Sequence, residues 1–336
     1  FKQKTAYEIR LSLVGSEMCI RDSVSSARAL GFIAATLSLS TLLVSFCRVQ
    51  FSVVSSDTPP GGHLRRVASV GCSVRVNTFR RNDLLDRFVK HYERCGAARE
   101  IVVVWSDAEL APPEWLVLRA DRSPTAGEVA VRVELFDVDS LNNRFKLLET
   151  PATDAIFSVD DDLIVSCEVL QNMIDIWASA PRQMVGVAPR LVSRDTNANG
   201  GWRYLRWWHV WWNGAYSLVL TKVCILHRDY LDAFSSRSPA LVSAREHVDS
   251  RRNCEDLLMS FIVANATRAP PLWFRAPYSD YGQSILSFGQ HAGISSGVDH
   301  VETRGDCIAT FVRLFGTMPL VTSHSKLVDA RSEWLW

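Results

Sequence analysis

The sequence lacks several features that would assign a function at once. No Cys-x-x-Cys pair occurs among its 8 cysteines, so a zinc site is not indicated. No Gly-x-Gly-x-x-Gly segment follows the first predicted strand, which leaves a dinucleotide-binding fold with little support. Neither sign of charge is in excess, since the formal net charge is +1. The composition therefore predicts neither an acidic tail nor a polyanion-binding surface.

The composition is that of a folded protein. Of the 336 residues, 47% are hydrophobic and 22% are charged, which fits one large domain or two modest ones. The cysteines are too few and too scattered for a disulfide-dense scaffold. Cys72, Cys95, Cys167 and Cys224 lie within apolar segments, where we expect buried thiols.

The N-terminal part of the chain is expected to precede the folded domain. An uncharged, mostly apolar run spans about 28 Å as a helix, close to the thickness of a bilayer core. It predicts a membrane anchor, with a cleaved signal peptide or a buried helix as alternatives; the anchor and the signal peptide both place the rest in the secretory lumen. The predicted divisions are an artefact or disordered tail at 1–23, a cytosolic stub at 24–28, a transmembrane signal anchor at 29–47, a linker at 48–66, a folded domain at 67–325 and a tail at 326–336.

The folded domain alternates between strand-like and helix-like segments, which predicts a doubly wound α/β architecture. Its strands are expected near 67–76, 101–105, 131–136, 155–160, 184–188 and 216–220. Its helices are expected near 82–95, 141–149, 167–178, 222–234 and 253–264.

Three consecutive carboxylates interrupt this pattern. The apolar run Ala155–Val159 leads directly into Asp160, Asp161 and Asp162. Adjacent carboxylates repel one another and are costly to desolvate, and a divalent cation relieves both penalties. Because ligands bind at the carboxyl ends of parallel strands, we expect a hard cation here, Mn²⁺ or alternatively Mg²⁺. A solvated acidic turn is the alternative interpretation.

A second acidic pair begins a predicted helix. Glu255 and Asp256 follow Asn253, a plausible helix cap. Acids in the first turn favour helix formation, so this pair alone indicates only a helix start.

The segment 200–212 is unusually aromatic. Stacking rings beside hydrogen-bonding groups suit the apolar face of a sugar, a hydrophobic partner or the protein's own core. Nucleic acid is disfavoured, because the charge is near neutral and the location is expected to be lumenal. The segment contains Trp202, Tyr204, Trp207, Trp208, Trp211 and Trp212, interleaved with Arg203, Arg206 and His209.

Four blocks in this order resemble the exostosin-like glycosyltransferases, which form glycosyltransferase family 64. The blocks are TFRRNDLL at 78–85, SLNNRF at 140–145 with VDDD at 159–162, AYSLVLT at 215–221, and NCEDLLMSF at 253–261, and the ending FGTMPL at 315–320 also matches. The resemblance implies a GT-A fold, which is an α/β domain with a mixed, mainly parallel sheet. It also implies metal-dependent retaining transfer of an N-acetylhexosamine or hexose from a nucleotide sugar, UDP-linked in the exostosin relatives, to a glycan or glycolipid.

The resemblance also implies roles for single residues. Asp162 would ligate the metal and Asp256 would face the anomeric carbon, with Glu255 beside it. The donor-binding set would be Arg81, Asn143, Arg144, Asp160 and Asp161. The acceptor would be contacted by Trp207, Trp208, Trp211 and Trp212.

Further expectations depend on the same resemblance. Cys254 and Cys307 would form a disulfide, and Asn265 would be a glycosylation site if it is lumenal. The family's basic residue before the second cysteine aligns near Gly297, where only His300 and Arg304 are close. The enzyme would lie in the Golgi or endoplasmic reticulum membrane, with the catalytic domain in the lumen. A homo- or hetero-oligomer is left open.

Two competing functions remain at this stage. A lectin-like or scaffold protein on the same fold would bind glycan through the tryptophans without metal or nucleotide. A metal-dependent hydrolase is less favoured, because the sequence lacks the histidine-rich ligand set that such sites often carry.

Overall fold

The computed structural model describes residues 71–282 and 300–330. The strands are β1 (Cys72–Thr78), β2 (Ala98–Trp105), β3 (Ala130–Leu135), β4 (Ala155–Asp160), β5 (Leu163–Ile164), β6 (Val185–Gly186), β7 (Pro189–Arg194), β8 (Trp202–Leu205), β9 (Leu218–Val219), β10 (Val223–His227), β11 (Leu272–Arg275), β12 (Ser279–Asp280) and β13 (Lys326–Val328). The helices are α1 (Asn82–Tyr92), α2 (Glu114–Ala120), α3 (Cys167–Ser179), α4 (Trp207–Asn213), α5 (Asp229–Phe234), α6 (Pro239–Arg251), α7 (Glu255–Thr267) and α8 (His300–Phe315), with short 3₁₀ turns at Leu141–Phe145 and Asn199–Gly201.

An eight-stranded sheet organises the domain, in the order β13-β11-β6-β10-β4-β1-β2-β3. All neighbouring pairs are parallel except those of β10, which runs antiparallel to both β4 and β6. The predicted α/β architecture with a mixed, mainly parallel sheet is therefore confirmed. Small sheets add β12-β5 and β8-β7-β9 beside it.

The core lies on both faces of this sheet. Successive side chains of a strand point to opposite faces, so Phe157 packs in one cluster with α1 and α3, and Ile156 packs in the other with α5–α8. Strand β2 is continuously apolar and buried from Ile101 to Trp105, because both of its faces are covered there. Helix α1 buries Leu85, Phe88 and Tyr92 on one side, as its spacing predicts.

One predicted element was wrong. The segment 222–234 was expected to be a helix, but Val223–His227 forms the central strand β10 and only Asp229–Phe234 is helical. The strand is apolar throughout except at His227, which suits a position between β4 and β6 where both faces are buried. A short apolar run of this kind does not distinguish strand from buried helix by periodicity alone.

The predicted anchor at 29–47 lies outside the described residues. Among 71–282 and 300–330, no helix combines the length and the apolar character needed to cross a bilayer.

Candidate active site

The acid cluster lies where two central strands end together. Strand β1 pairs with β4 in parallel register, with Asn77 opposite Asp160. Thr78, the last residue of β1, donates its hydroxyl to Asp161 at 2.7 Å. Arg81 occupies the N-cap position of α1 and makes no side-chain cap. Its guanidinium instead donates to Asp161 at 3.1 Å and Asp162 at 3.0 Å.

A fourth carboxylate joins this cluster, and sequence analysis missed it. Asp280 of β12 lies next to β5, which follows the three acids directly, and its charge acts on Asp162. Gly282 permits the close approach of this segment, because a Cβ there would lie 2.2 Å from the Asp162 Oδ2 atom. No sequence signal links Asp280 to the other acids, since it is more than a hundred residues away along the chain.

The cluster carries an excess of negative charge that Arg81 only partly offsets. Burial, together with the neighbouring acids, raises the pKa of Asp161 to about 6 despite its bonds to Arg81 and Thr78. Burial and the charge of Asp160 raise the pKa of Asp162 as well. Both shifts show that an added positive charge would stabilise the ionised cluster.

Arg144 lies between the two acidic groups. It is in the 3₁₀ turn Leu141–Phe145, and the buried Arg75 of β1 holds this turn by donating to the Arg144 carbonyl at 2.6 Å. The Arg144 guanidinium pairs with Asp160. Burial alone would lower its pKa, but Asp160 and Glu255, and more weakly Asp256, raise it above its usual value. One arginine is therefore within electrostatic reach of both acidic groups.

Asn143, in the same turn, is also held by side-chain hydrogen bonds. It is buried, and its side-chain amide donates to the Ser106 hydroxyl at 3.1 Å and the Val138 carbonyl at 2.7 Å. Its predicted contact with a donor remains a prediction.

The second acidic pair begins helix α7 and is closed to solvent. Asp256 accepts two hydrogen bonds from the buried Arg304, at 3.1 and 2.9 Å. Arg304 also donates to the Tyr204 hydroxyl at 3.2 Å. Burial and the neighbouring Asp256 raise the pKa of Glu255 to about 7, while Arg144 and Arg304 act in the opposite direction.

The family's basic residue before the second cysteine stays a prediction. Sequence analysis placed that position near Gly297, which lies outside the described residues. The structure brings Arg304, three residues before Cys307, onto Asp256 instead. Arg304 and Cys307 are three residues apart in α8, so helical spacing puts them on one face of the helix. This spacing is visible in the sequence.

The cysteines divide differently from the prediction. The expected disulfide between Cys254 and Cys307 is confirmed. Cys95 and Cys167 were expected to be buried thiols, but they form a second disulfide between the end of α1 and the start of α3. The two cysteines are 72 residues apart in the sequence, and their apolar surroundings suggested buried thiols rather than a disulfide. Cys72 and Cys224 are buried free thiols, as predicted.

The four clustered tryptophans of α4 are not core residues. Trp207, Trp208, Trp211 and Trp212 are 63%, 50%, 72% and 79% exposed. Tyr204 is buried, by contrast, and belongs to the core. Asn265 is exposed near the end of α7.

The residues fit a divalent cation that is held jointly with a ligand. Within the described ranges, the one set of potential metal-binding side chains with mutually close atoms is His91, Cys95 and Cys167. There the two sulfurs are already joined and His91 contacts the Val165 carbonyl at 2.8 Å. The four acids form no closed cage. Mg²⁺ and Mn²⁺ commonly bind one or two carboxylates and complete their shell with substrate phosphates and water, which this open acidic edge allows.

Comparison with known proteins places this chain among the glycosyltransferases. Residues 72–334 match the family model described as the glycosyl transferase family 64 domain. The chain belongs to glycosyltransferase family 64, as the four sequence blocks indicated.

Three relatives show what this chain is similar to. Glycosylinositol phosphorylceramide mannosyl transferase 1 of Arabidopsis thaliana is 38% identical over 316 residues, which cover 88% of this chain and 91% of that protein. Glucosamine inositolphosphorylceramide transferase 1 of Oryza sativa subsp. indica is 32% identical over 70% of this chain and 29% of its own length. Exostosin-1 of Mus musculus is 30% identical over 68% of this chain and 29% of its own length.

A solved structure of GalNAc-T7 with UDP, GalNAc and Mn²⁺ also aligns with 60% of this chain and 42% of its own. The TM-score is 0.40 and the identity is 10%, values at which nothing further about this chain follows.

Proposed function

We propose that this glycosyltransferase moves a hexose or N-acetylhexosamine from a nucleoside diphosphate sugar to a glycolipid of the inositol phosphorylceramide type, with retention of configuration. The observation that carries the proposal is the position of Arg144. Its guanidinium pairs with Asp160, and the charges of Glu255 and Asp256 also raise its pKa. A diphosphate bound at the first acidic group would thus present its sugar toward the second. The names of the Arabidopsis and rice relatives supply the acceptor class.

The proposed donor site combines acids with arginines. A divalent cation bound there would stabilise the charge that develops on the departing diphosphate. Asp162 is assigned as its protein ligand. Arg81 would contact the nucleotide or its phosphates, and Arg144 would orient Asp160 toward the ribose or sugar. Asp161 is buried, and its bonds to Thr78 and Arg81 would fix the direction of Asp162 next to it.

The proposed reaction centre is Asp256. Arg304 donates two hydrogen bonds to this carboxylate, which hold it in one orientation. A carboxylate facing the anomeric carbon stabilises the positive charge that forms there as the diphosphate leaves. Glu255, with a pKa near 7, exchanges a proton near neutral pH and would serve the acceptor hydroxyl or a sugar hydroxyl.

The compartment follows from the same proposal. Two disulfides support an oxidising environment such as the lumen of the Golgi or endoplasmic reticulum. We place the catalytic domain there, attached through the predicted N-terminal anchor.

A donor screen tests the proposal. The full chain is mixed with Mn²⁺, an inositol phosphorylceramide acceptor and, in separate reactions, GDP-mannose, UDP-N-acetylglucosamine or UDP-N-acetylgalactosamine, and the freed nucleotide is measured. We expect one donor to be turned over in an acceptor-dependent way. Turnover of none, with a folded protein, would contradict the proposal and favour a lectin-like role.

A further inference from the structure

Helix α4 carries an apolar surface that lies outside the core. We call it the tryptophan patch (Trp207, Trp208, Trp211 and Trp212). At 3.6 residues per turn, these four positions fall within an arc of about 140°. The opposite side of the helix holds Val210, which is buried against Leu191 and Tyr216. The helix is therefore fixed to the domain by one side and presents four indoles on the other.

The exposed area is larger than an isolated surface side chain requires. An aromatic side chain can bury about 150–250 Å², and the four rings are between 50% and 79% exposed. Together they expose several hundred Å², about the size of the largest apolar patch on a typical monomer, and such patches usually mark an interaction surface.

The charges in the chain segment that carries the patch favour an anionic partner. Residues 189–214 contain four arginines and one acid, a net charge of +3 from 4 minus 1. The acid, Asp195, is paired with Arg203 at 2.6 Å, and Arg206 at the start of α4 is exposed. Indoles with a basic rim are the combination that binds the interfacial region of an anionic bilayer.

The form of the surface also favours a bilayer over a soluble glycan. Sugar sites are hollows in which polar groups fix the orientation of the ligand. The indoles here project outward, and their ring contacts include Trp208 with His209 and Trp211 with Trp212.

We propose that the tryptophan patch docks on the surface of an anionic phospholipid bilayer. Tyr204, three residues before the patch, binds Arg304, which in turn holds Asp256. Docking would therefore hold the acidic pair close to the headgroup plane. The benefit for a lipid acceptor depends on the function proposed above, but the docking itself does not.

Bromine quenching of tryptophan fluorescence tests the docking. The full chain is reconstituted in phosphatidylcholine vesicles with brominated acyl chains, with and without about 30% phosphatidylserine. The predicted anchor at 29–47 contains no tryptophan, so its insertion adds no quenched ring of its own. Of the 11 tryptophans, we expect up to four to be quenched in wild type. The double variant Trp211→Ser/Trp212→Ser should lose about half of that quenched component.

Two further variants sharpen the test. Arg206→Glu should lower quenching in the anionic vesicles and leave it unchanged in the neutral ones. Leu118→Ser, which removes another residue that is 63% exposed, should match wild type in both. Equal quenching in wild type and the double variant would overturn the proposal. The proposal would also be overturned if a second copy of the chain shielded the indoles in detergent without lipid. The same holds if soluble oligosaccharide, but not vesicles, changed the tryptophan fluorescence. If sugar transfer continues but no tryptophan is quenched, the docking is rejected and the proposed function is not.

Discussion

The two acidic groups of this enzyme differ in how their carboxylates are held. Asp160, Asp161, Asp162 and Asp280 face two arginines, and the pKa of both Asp161 and Asp162 is raised. Asp256 is as buried as Asp161, but a single arginine, Arg304, donates two hydrogen bonds to it. The pKa of its neighbour Glu255 is raised to about 7. Under the proposed function this difference fits a division of labour, in which the first group would bind a cation with its ligand and Arg304 already positions Asp256 in the second.

The covalent structure follows the same division. The Cys254–Cys307 disulfide lies two residues before Asp256 and three residues after Arg304, so it ties both partners of the second group together. The first group depends on strand ends and on Arg81. Substitutions in the two groups should therefore fail in different ways.

The largest effect is expected at the second group. Asp256→Asn removes the carboxylate that we propose faces the anomeric carbon and should lower kcat by about 10²- to 10³-fold. The variant leaves Arg304 buried without its ionised partner, which costs about 3–5 kcal/mol, so thermal melting must accompany the rate. The double variant Asp256→Asn/Arg304→Gln should regain stability but not activity. A single variant with near wild-type kcat would remove Asp256 from the reaction, and Asp229→Asn, at an exposed acid, serves as the control.

A different signature is expected at the first group. Asp162→Ala should raise the Mn²⁺ concentration for half-maximal turnover by about 10- to 100-fold, because the proposed protein ligand is lost. Saturating Mn²⁺ should restore part of the rate, which it cannot do for Asp256→Asn. An unchanged Mn²⁺ dependence would show that Asp162 is not the ligand.

The two disulfides separate stability from activity. Replacing either pair of cysteines by alanine should lower the free energy of unfolding by about 2–5 kcal/mol. Only loss of Cys254–Cys307 should also lower kcat, by about 10-fold, because it loosens Asp256 and Arg304. The Cys95–Cys167 variant is the matched control, measured by denaturant unfolding and donor turnover. Equal losses of kcat in both would contradict the positioning role.

The smallest effect concerns Glu255 and pH. Its pKa is raised from 4.5 to about 7 by burial and by Asp256, so the folded state binds this proton more tightly than the unfolded state. Its contribution to stability is complete below about pH 4.5 and is lost as the pH rises through about 7. Glu255→Gln should therefore gain about 1–3 kcal/mol relative to wild type at pH 8 compared with pH 5. A gain at the lower pH would have the wrong sign.

Sequence patterns predicted the fold and the first acidic group because their signals are local. The strand ending at Asp160 and the amphipathic helix after Arg81 could each be recognised within about ten residues. The placement of Asp280 beside Asp162 depends on a two-residue strand pairing that carries no sequence signal. Strand β10 was mistaken for a helix because its burial is decided by its neighbours in the sheet.

The tryptophans show a different limit. The sequence predicted no secondary structure for the segment 200–212, and sugar contact, a hydrophobic partner and core packing all suit such a run of rings. Only the structure shows that Val210 packs inward while the indoles remain exposed.

Nucleoside diphosphate binding by calorimetry, with and without Mn²⁺, tests most directly the claim that the first acidic group binds a cation together with a diphosphate. Wild type should bind GDP or UDP tightly only when Mn²⁺ is present, and Asp162→Ala should lose that dependence together with the affinity. Equal affinity with and without Mn²⁺ in both proteins would contradict it.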